Sequence, residues 1–284
     1  MADRELELLD SLPRMGPLFA RALLAAPTSG QPRIPSRAAA VTGLSQDRGR
    51  LADYDRVCGF ALRDRVPATW LHVLTFPLHV HLLSRSDSSI RLAGLVHVSN
   101  RMTQHRPVSA AEVLDLQVRA TNLRPHRRGG LLDVAGEVRV GDELVWDGVS
   151  TYLATGVKLT GQPEEAGTSD WSPIPPSALW RLPADLGVAY RRVSHDPNPI
   201  HTSRVAARAF GFSRPIVHGM WTHARALAAL EPRLPERYTI KARFRRPIML
   251  PATVSYGAEP VQDGWRQAVM TREGGKPFMT VESG

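Results

Sequence analysis

Three short stretches of this chain recur later in it, in the same order and at a nearly constant distance. Tyr54-Asp-Arg-Val-Cys-Gly-Phe60 matches Tyr190-Arg-Arg-Val-Ser-His-Asp196 at an offset of 136 residues. Phe76-Pro77-Leu78 resembles Arg214-Pro215-Ile216 at 138, and His105-Arg106-Pro107-Val108 resembles Arg245-Arg246-Pro247-Ile248 at 140. A slowly growing offset is what a duplicated domain with small loop insertions leaves behind. The 284 residues are therefore expected to hold two copies of one fold, a division that a usual size of about 150 residues per domain also favours.

Both copies read as mixed helix and sheet. Up to about Ala25 the chain looks helical, and Pro27–Pro35 is loop-like. Strand-like segments follow at Leu92–Val98, Val113–Ala120, Leu131–Val140 and Glu143–Leu153, each rich in Val, Leu or Thr and bounded by turn residues. Val134–Val140, then Gly141-Asp142 and Leu144–Trp146, reads as a hairpin. The polar stretch 159–176, rich in Gly, Pro, Glu and Ser, is the expected linker between domains 1–158 and 177–284. Beyond it, Val217, Met220, Ala224 and Leu227 form one buried helical stripe. Runs at Tyr238–Phe244, Thr253–Ala258, Trp265–Thr271 and Phe278–Val281 read as strands. A helix followed by antiparallel strands in each half predicts an α+β architecture rather than a doubly wound sheet.

Composition narrows the function classes. The single cysteine, Cys58, excludes an internal disulfide framework and fits a reducing compartment. The start, Met-Ala-Asp-Arg-Glu, lacks the basic-then-apolar profile of a leader, and the apolar stretch near Gly16–Ala26 is too short to span a bilayer. A cytoplasmic protein with no membrane span is expected. The net charge of +9 comes almost wholly from arginine, with Lys158, Lys241 and Lys276 the only lysines. Such charge attracts phosphorylated carriers or nucleic acid. No nucleic-acid recognition motif accompanies it, so no nucleic-acid partner is expected.

The chemistry concentrates in Tyr190–His201. Pro197 and Pro199 fix their own φ and push Asp196 and Asn198 away from the α region. A stiff loop then presents Asp196, Asn198 and His201, after which Thr202 or Ser203 can cap a helix through Phe210. A carboxylate and an imidazole five residues apart suit paired proton transfer, and histidine titrates near neutrality. Other readings of the same residues stay open. Asp196 and Asn198 can close Asx turns around the prolines, with His201 in the core. His195, Asp196, His201 and His218 can ligate a metal, although no i, i+4 ligand pair supports this. A Ser–His–Asp hydrolase lacks a nucleophile elbow at Ser194 or Ser203.

Taken together, Asp196-Pro-Asn-Pro-Ile-His201, Ala207, Gly211-Phe212 and Ile216-Val-His-Gly-Met220 resemble the MaoC-like type 2 enoyl hydratases. Arg243–Ile248 and Pro251 resemble the family's strand and turn after the helix, and Leu92–Val108 resembles the first unit of double hot-dog dehydratases related to fatty-acid synthase. The resemblance implies an α+β double hot-dog fold, in which each unit wraps an antiparallel sheet around a central helix. It also implies a hydro-lyase of fatty-acid metabolism that adds water to a trans-2-enoyl thioester, or removes it from the (3R)-hydroxyacyl thioester. The carrier would be coenzyme A or acyl carrier protein. Asp196 and His201 fall on the family's catalytic dyad, and Asn198 falls on its supporting amide. Gly219 falls on the residue whose backbone N–H faces the thioester oxygen, a role that the unpaired amides of a helix start can fill.

No cofactor and no metal is implied. Ser203 departs from the many relatives that carry Asp there. In the first half, the positions 136 residues before Asp196, Asn198 and His201 are Phe60, Leu62 and Arg65, which cannot do the dyad's work. That half is expected to be catalytically degenerate. A hot-dog acyl thioesterase and a non-catalytic acyl-binding protein are the rival readings. Two hot dogs in one chain already stand where a pair of single ones would, and a homodimer of the whole chain is left open.

Overall fold

The computed structural model describes residues 5–24, 31–92, 94–163 and 171–284. The first half runs β1 (Leu6–Leu8), α1 (Met15–Leu24), β2 (Ala38–Leu44), α2 (Arg48–Cys58), α3 (Ala68–Leu83), β3 (Leu95–Gln104), β4 (Leu114–His126), β5 (Gly129–Val140) and β6 (Glu143–Thr155). The second runs β7 (Ala178–Leu182), α4 (Leu186–Ser194), α5 (Arg204–Ala209), α6 (Gly219–Leu230), β8 (Tyr238–Phe244), β9 (Ala252–Val261), β10 (Gly264–Thr271) and β11 (Pro277–Ser283). The strands expected from alternation and turn residues are present, most within about three residues of their expected ends, while β3 and β4 each run six residues further, to Gln104 and His126. The opening stretch is helical only from Met15, because Leu6–Leu8 pairs in parallel with the start of β2. The expected loop Pro27–Pro35 and the linker 159–176 lie partly outside the described residues. Where the linker is described again, Ile174 packs on Ala268 and Met270, and Trp171 Nε1 donates to the Gly275 carbonyl at 3.0 Å.

All the strands join one sheet in the order β1-β2-β4-β5-β6-β3-β8-β11-β10-β9-β7. Its two parts are the same order read in opposite directions: β2-β4-β5-β6-β3 against β7-β9-β10-β11-β8. They meet where β3 pairs antiparallel with β8, with Arg101 opposite Lys241. Those two residues are each other's equivalents at the 140-residue offset, so an approximate twofold axis passes between them. Each part of the sheet curves over one helix, α3 packing on β2 to β6 and α6 on β10 and β11. This is the double hot-dog.

The duplication is real, but one of its three sequence matches is not. Tyr54 on α2 and Tyr190 on α4 occupy equivalent helices, and their rings lie against each other, with centroids 6.2 Å apart. The caps that follow, Gly59 and His195, are both left-handed. Pro107-Val108 and Pro247-Ile248 are equivalent too: Val66 N–H donates to the Val108 carbonyl, as Val217 N–H does to that of Ile248, both at 2.8 Å. The match of Phe76–Leu78 to Arg214–Ile216 fails, because Pro77 lies inside α3 whereas Pro215 lies before α6. The true counterpart of Val66 is Val217, at an offset of 151 residues. Between α4 and α6 the second half therefore carries an insertion, and that insertion holds most of the dyad loop. Leu62 and Arg65 are not counterparts of Asn198 and His201, since the first half has no such segment.

Burial between the halves leaves one carboxyl out of place. Asp55, on α2, is buried with Oδ1 unpartnered. Burial first, then the nearby charge of Glu231, pushes its carboxyl up to about 7. A carboxyl raised on folding is stabilising to keep protonated, so its contribution is intact below the unfolded value and is lost as pH rises through about 7. Asp55→Asn is expected to stabilise the protein at pH 8 by on the order of 3 kcal/mol. The gain should shrink towards nothing by pH 4. Urea midpoints of both proteins across that range check it, and a pH-independent difference would refute it.

Candidate active site

The loop after α4 owes its shape to three local features. His195 ends the helix in the left-handed conformation, at φ 59°. Ser194 Oγ accepts the Asp196 N–H at 3.3 Å, and Asp196 Oδ1 accepts the Asn198 N–H at 3.0 Å. Asn198 Oδ1 in turn caps the short 3-10 turn Pro199–His201 by accepting the Ile200 N–H. The Asx turns weighed as a rival to chemistry thus do form, and they aim the carboxylate as well. Ser203 caps α5 by accepting the Ala206 N–H at 3.3 Å, as its position led one to expect.

Gly187 seats the loop. A Cβ there would run into the His201 carbonyl, so only glycine lets α4 lie against the turn that carries the histidine. His201 is buried, and its Nδ1–H donates to the Ile216 carbonyl at 2.8 Å. That bond assigns the tautomer and leaves Nε2 with the free lone pair. Burial lowers the pKa of His201, against the opposing pull of Asp196 and the Ile216 carbonyl. The imidazole is thus held neutral. Asp196 keeps 19% of its side chain open.

His218 completes the cluster. Its ring stacks on that of His201, with centroids 3.7 Å apart and planes 24° apart, and Nε2 stands 3.9 Å from Asp196 Oδ2. Polar atoms of Asp196, His201 and His218 all lie within 4.8 Å of one another. His195 does not join them. It turns away, with Nδ1 2.7 Å from Arg50 Nη1. The three that do meet form a poor metal cage. Ring nitrogen lone pairs lie in the ring planes, and two nearly parallel planes meet far beyond a metal–nitrogen bond of about 2 Å.

Gly219 opens α6 directly after His218. First-turn amides have no acceptor within their own helix and favour negative charge. A Cβ on Gly219 would press on the Phe244 ring at 3.1 Å, so a side chain here would crowd the site wall.

That wall continues into a polar seam between the halves. Burial raises the pKa of the Tyr152 hydroxyl, and the neighbouring charge of Asp196 adds to the effect. Its ring stacks on His97 at 4.7 Å, and its hydroxyl lies 3.3 Å from His79 Nδ1. His97 also meets Phe244 at 5.0 Å and His72 at 6.0 Å. His223, one turn along α6 from Gly219, belongs to the same electrostatic group. Sequence reasoning missed Gly187, Tyr152 and these seam histidines. They reach the dyad from distant elements, and nothing in their local spacing marks them.

Among the described residues no helix is long and apolar enough to cross a membrane. Residues 164–276 match the family profile described as MaoC like domain. The chain is 35% identical over 250 residues to 3-hydroxyacyl-thioester dehydratase X of Mycobacterium tuberculosis, covering 88% of this chain and 89% of that one. The crystal structure of HtdX from the same organism superposes with a TM-score of 0.77 at 34% identity, covering 87% of this chain and 99% of that one. Another Mycobacterium tuberculosis protein, Rv0216, described as having a double hotdog fold, superposes with a TM-score of 0.53 at 12% identity, covering 90% of this chain and 96% of that one. That last likeness bears on the fold alone. The chain belongs to the MaoC-like family of double hot-dog dehydratases, which are hydro-lyases.

Proposed function

We propose that the protein is a 3-hydroxyacyl-thioester dehydratase, specific for the (3R) hydroxyl, that also hydrates the enoyl thioester in reverse. The observation that carries this reading is the meeting of Asp196 and His201, within 4.8 Å of each other at their polar atoms, beside the first amides of α6. In dehydration, one member of this pair takes the α-proton from C2, the proton passes across the pair, and the other member delivers it to the departing C3 hydroxyl. The electron pair of the C2–H bond becomes the new double bond, and water leaves. Charge that builds on the thioester oxygen falls to the Gly219 N–H. Asn198 holds the turn on which both groups sit, and no cofactor or metal takes part.

The name of the relative at 35% identity supports the thioester class. The carrier is coenzyme A or acyl carrier protein, and the arginine-derived charge of +9 suits either phosphorylated group. The first half, 1–158, serves as a catalytically degenerate hot dog that supports the active unit, 177–284. Cys58, a free buried thiol, fits the reducing cytoplasm.

The test is incubation with crotonyl-coenzyme A and with both enantiomers of a 3-hydroxyacyl-coenzyme A, with chiral analysis of products. Reversible water exchange confined to the (3R) series, undiminished after exhaustive chelation, is expected. Release of free thiol without hydration would make the protein a thioesterase instead, and activity lost on chelation and restored by zinc would return the metal reading.

A further inference from the structure

His218 is the buried group at the site for which the paired-proton mechanism has no use. It is 3% exposed, and neither ring nitrogen has a hydrogen-bond partner. An unsatisfied buried nitrogen costs roughly 1–3 kcal/mol. Its position does not explain that cost. His218 is the residue before α6, and its side chain makes no capping bond. At the equivalent place before α3 the first half has Pro67, which also makes none. The same fold, within the same chain, is therefore built without a polar group there.

What distinguishes the two places is the dyad. The His218 ring lies flat on His201, and its Nε2 is the polar atom facing Asp196 Oδ2, whose other oxygen already accepts the Asn198 N–H. We propose that His218 is a positioning residue for the dyad, its Nε2–H aimed at Asp196 Oδ2 across 3.9 Å while its ring fixes the plane of His201. The inference rests on the dehydratase reading above. One neutral side chain thereby holds both dyad members, aiming the carboxyl group of Asp196 and keeping the imidazole of His201 flat. The groups facing His218 are Asp196, His201, Tyr190 with its ring 4.9 Å away, and the charge of Arg191. Burial, then His201 and Arg191, holds its own imidazole well below the usual range, so it donates as a neutral ring.

The experiment compares wild type, His218→Phe, which keeps a stacking ring without a donor, and His218→Asn, which keeps a donor without the ring. His218→Phe is expected to lose about 10- to 100-fold in kcat with KM within about threefold, the size of a lost positioning contact. The acid limb of its kcat/KM profile should move up by roughly half a pH unit or more, because a donor facing the carboxyl group has been removed. His218→Asn should recover part of kcat and return the limb towards wild type. The carboxyl of Asp196, followed by carbon-detected NMR titration, should show the same upward shift in His218→Phe whether or not any turnover is seen.

A His218→Phe enzyme with wild-type kcat and an unmoved Asp196 titration would overturn the inference. So would equal losses in both variants that track a fall in melting temperature, which would make His218 structural only. Absence of wild-type turnover with a shifted Asp196 titration would count against the dehydratase reading and leave the His218–Asp196 contact standing.

Discussion

Asp196→Asn and His201→Gln are each expected to lower kcat by about two to four orders of magnitude, the usual size of lost general acid–base catalysis. Both substitutions keep volume and polarity, and the structure says which bonds they preserve. In Asp196→Asn the side-chain amide oxygen can still accept the Asn198 N–H, and in His201→Gln the side-chain amide retains a donor for the Ile216 carbonyl. Melting temperatures should therefore stay close to wild type while turnover collapses. The two losses should not add. If the groups work as a pair, removing the second from an enzyme that already lacks the first costs little more, as happens when residues act as one unit. Single-turnover kinetics on a 3-hydroxyacyl thioester, with the double variant included, would decide. Near-normal turnover in either single variant would remove that residue from the mechanism.

Acid should unfold this protein earlier than its carboxylates alone would. His72, His79 and His223 are buried at the seam between the halves and His97 is half-buried there, and desolvation keeps each of them neutral. The His72 imidazole is pushed down to about 4 and that of His223 to about 3, with His79 and His97 also well below the usual value. In the unfolded chain each takes a proton near pH 6.5, whereas in the folded protein it cannot. Folding stability is thus fully present above pH 6.5 and falls as pH drops through the window between the unfolded and folded values. By pH 4 a single such histidine costs about 3 kcal/mol. Four of them together rival the whole stability of a typical domain, about 5–15 kcal/mol. Urea midpoints are expected to fall steeply between pH 6.5 and pH 4.5, with uptake of several protons on unfolding. His72→Leu with His223→Leu should flatten the slope. A midpoint that stays level across that window would show the seam to be hydrated and its histidines titrating normally.

How much of this was legible beforehand differs from element to element. The strands of the second half were readable because a half-buried strand must alternate, and Tyr238–Phe244 does so residue by residue. The stripe Val217, Met220, Ala224 and Leu227 marked the place of α6 but not its bounds: the helix starts at Gly219, so Val217 lies before it, and Met220 is half-buried while Ala224 and Leu227 reach the core. α3 gave no such signal. Fourteen of its sixteen residues are buried, so it has no polar face to set a period, and Pro77 within it reads as a break. The same proline drew the second repeat match into a false register. A helix enclosed on all sides is visible only once its neighbours are in place.

The dyad loop divides in the same way. Sequence alone determined that Asp196, Asn198 and His201 sit on a stiff turn, since prolines, Asx acceptors and a serine cap act over only a few residues. It also determined that two copies of one fold were present. Tertiary structure alone decided that His218 Nε2 comes within 3.9 Å of Asp196 while His195 leaves for Arg50. It decided too that Gly187 must be glycine for His201 to seat, and that Tyr152 stands near the carboxylate. Those outcomes depend on packing between elements far apart in the chain, where direction and distance are set by the twofold-related sheet and not by any local preference of the backbone.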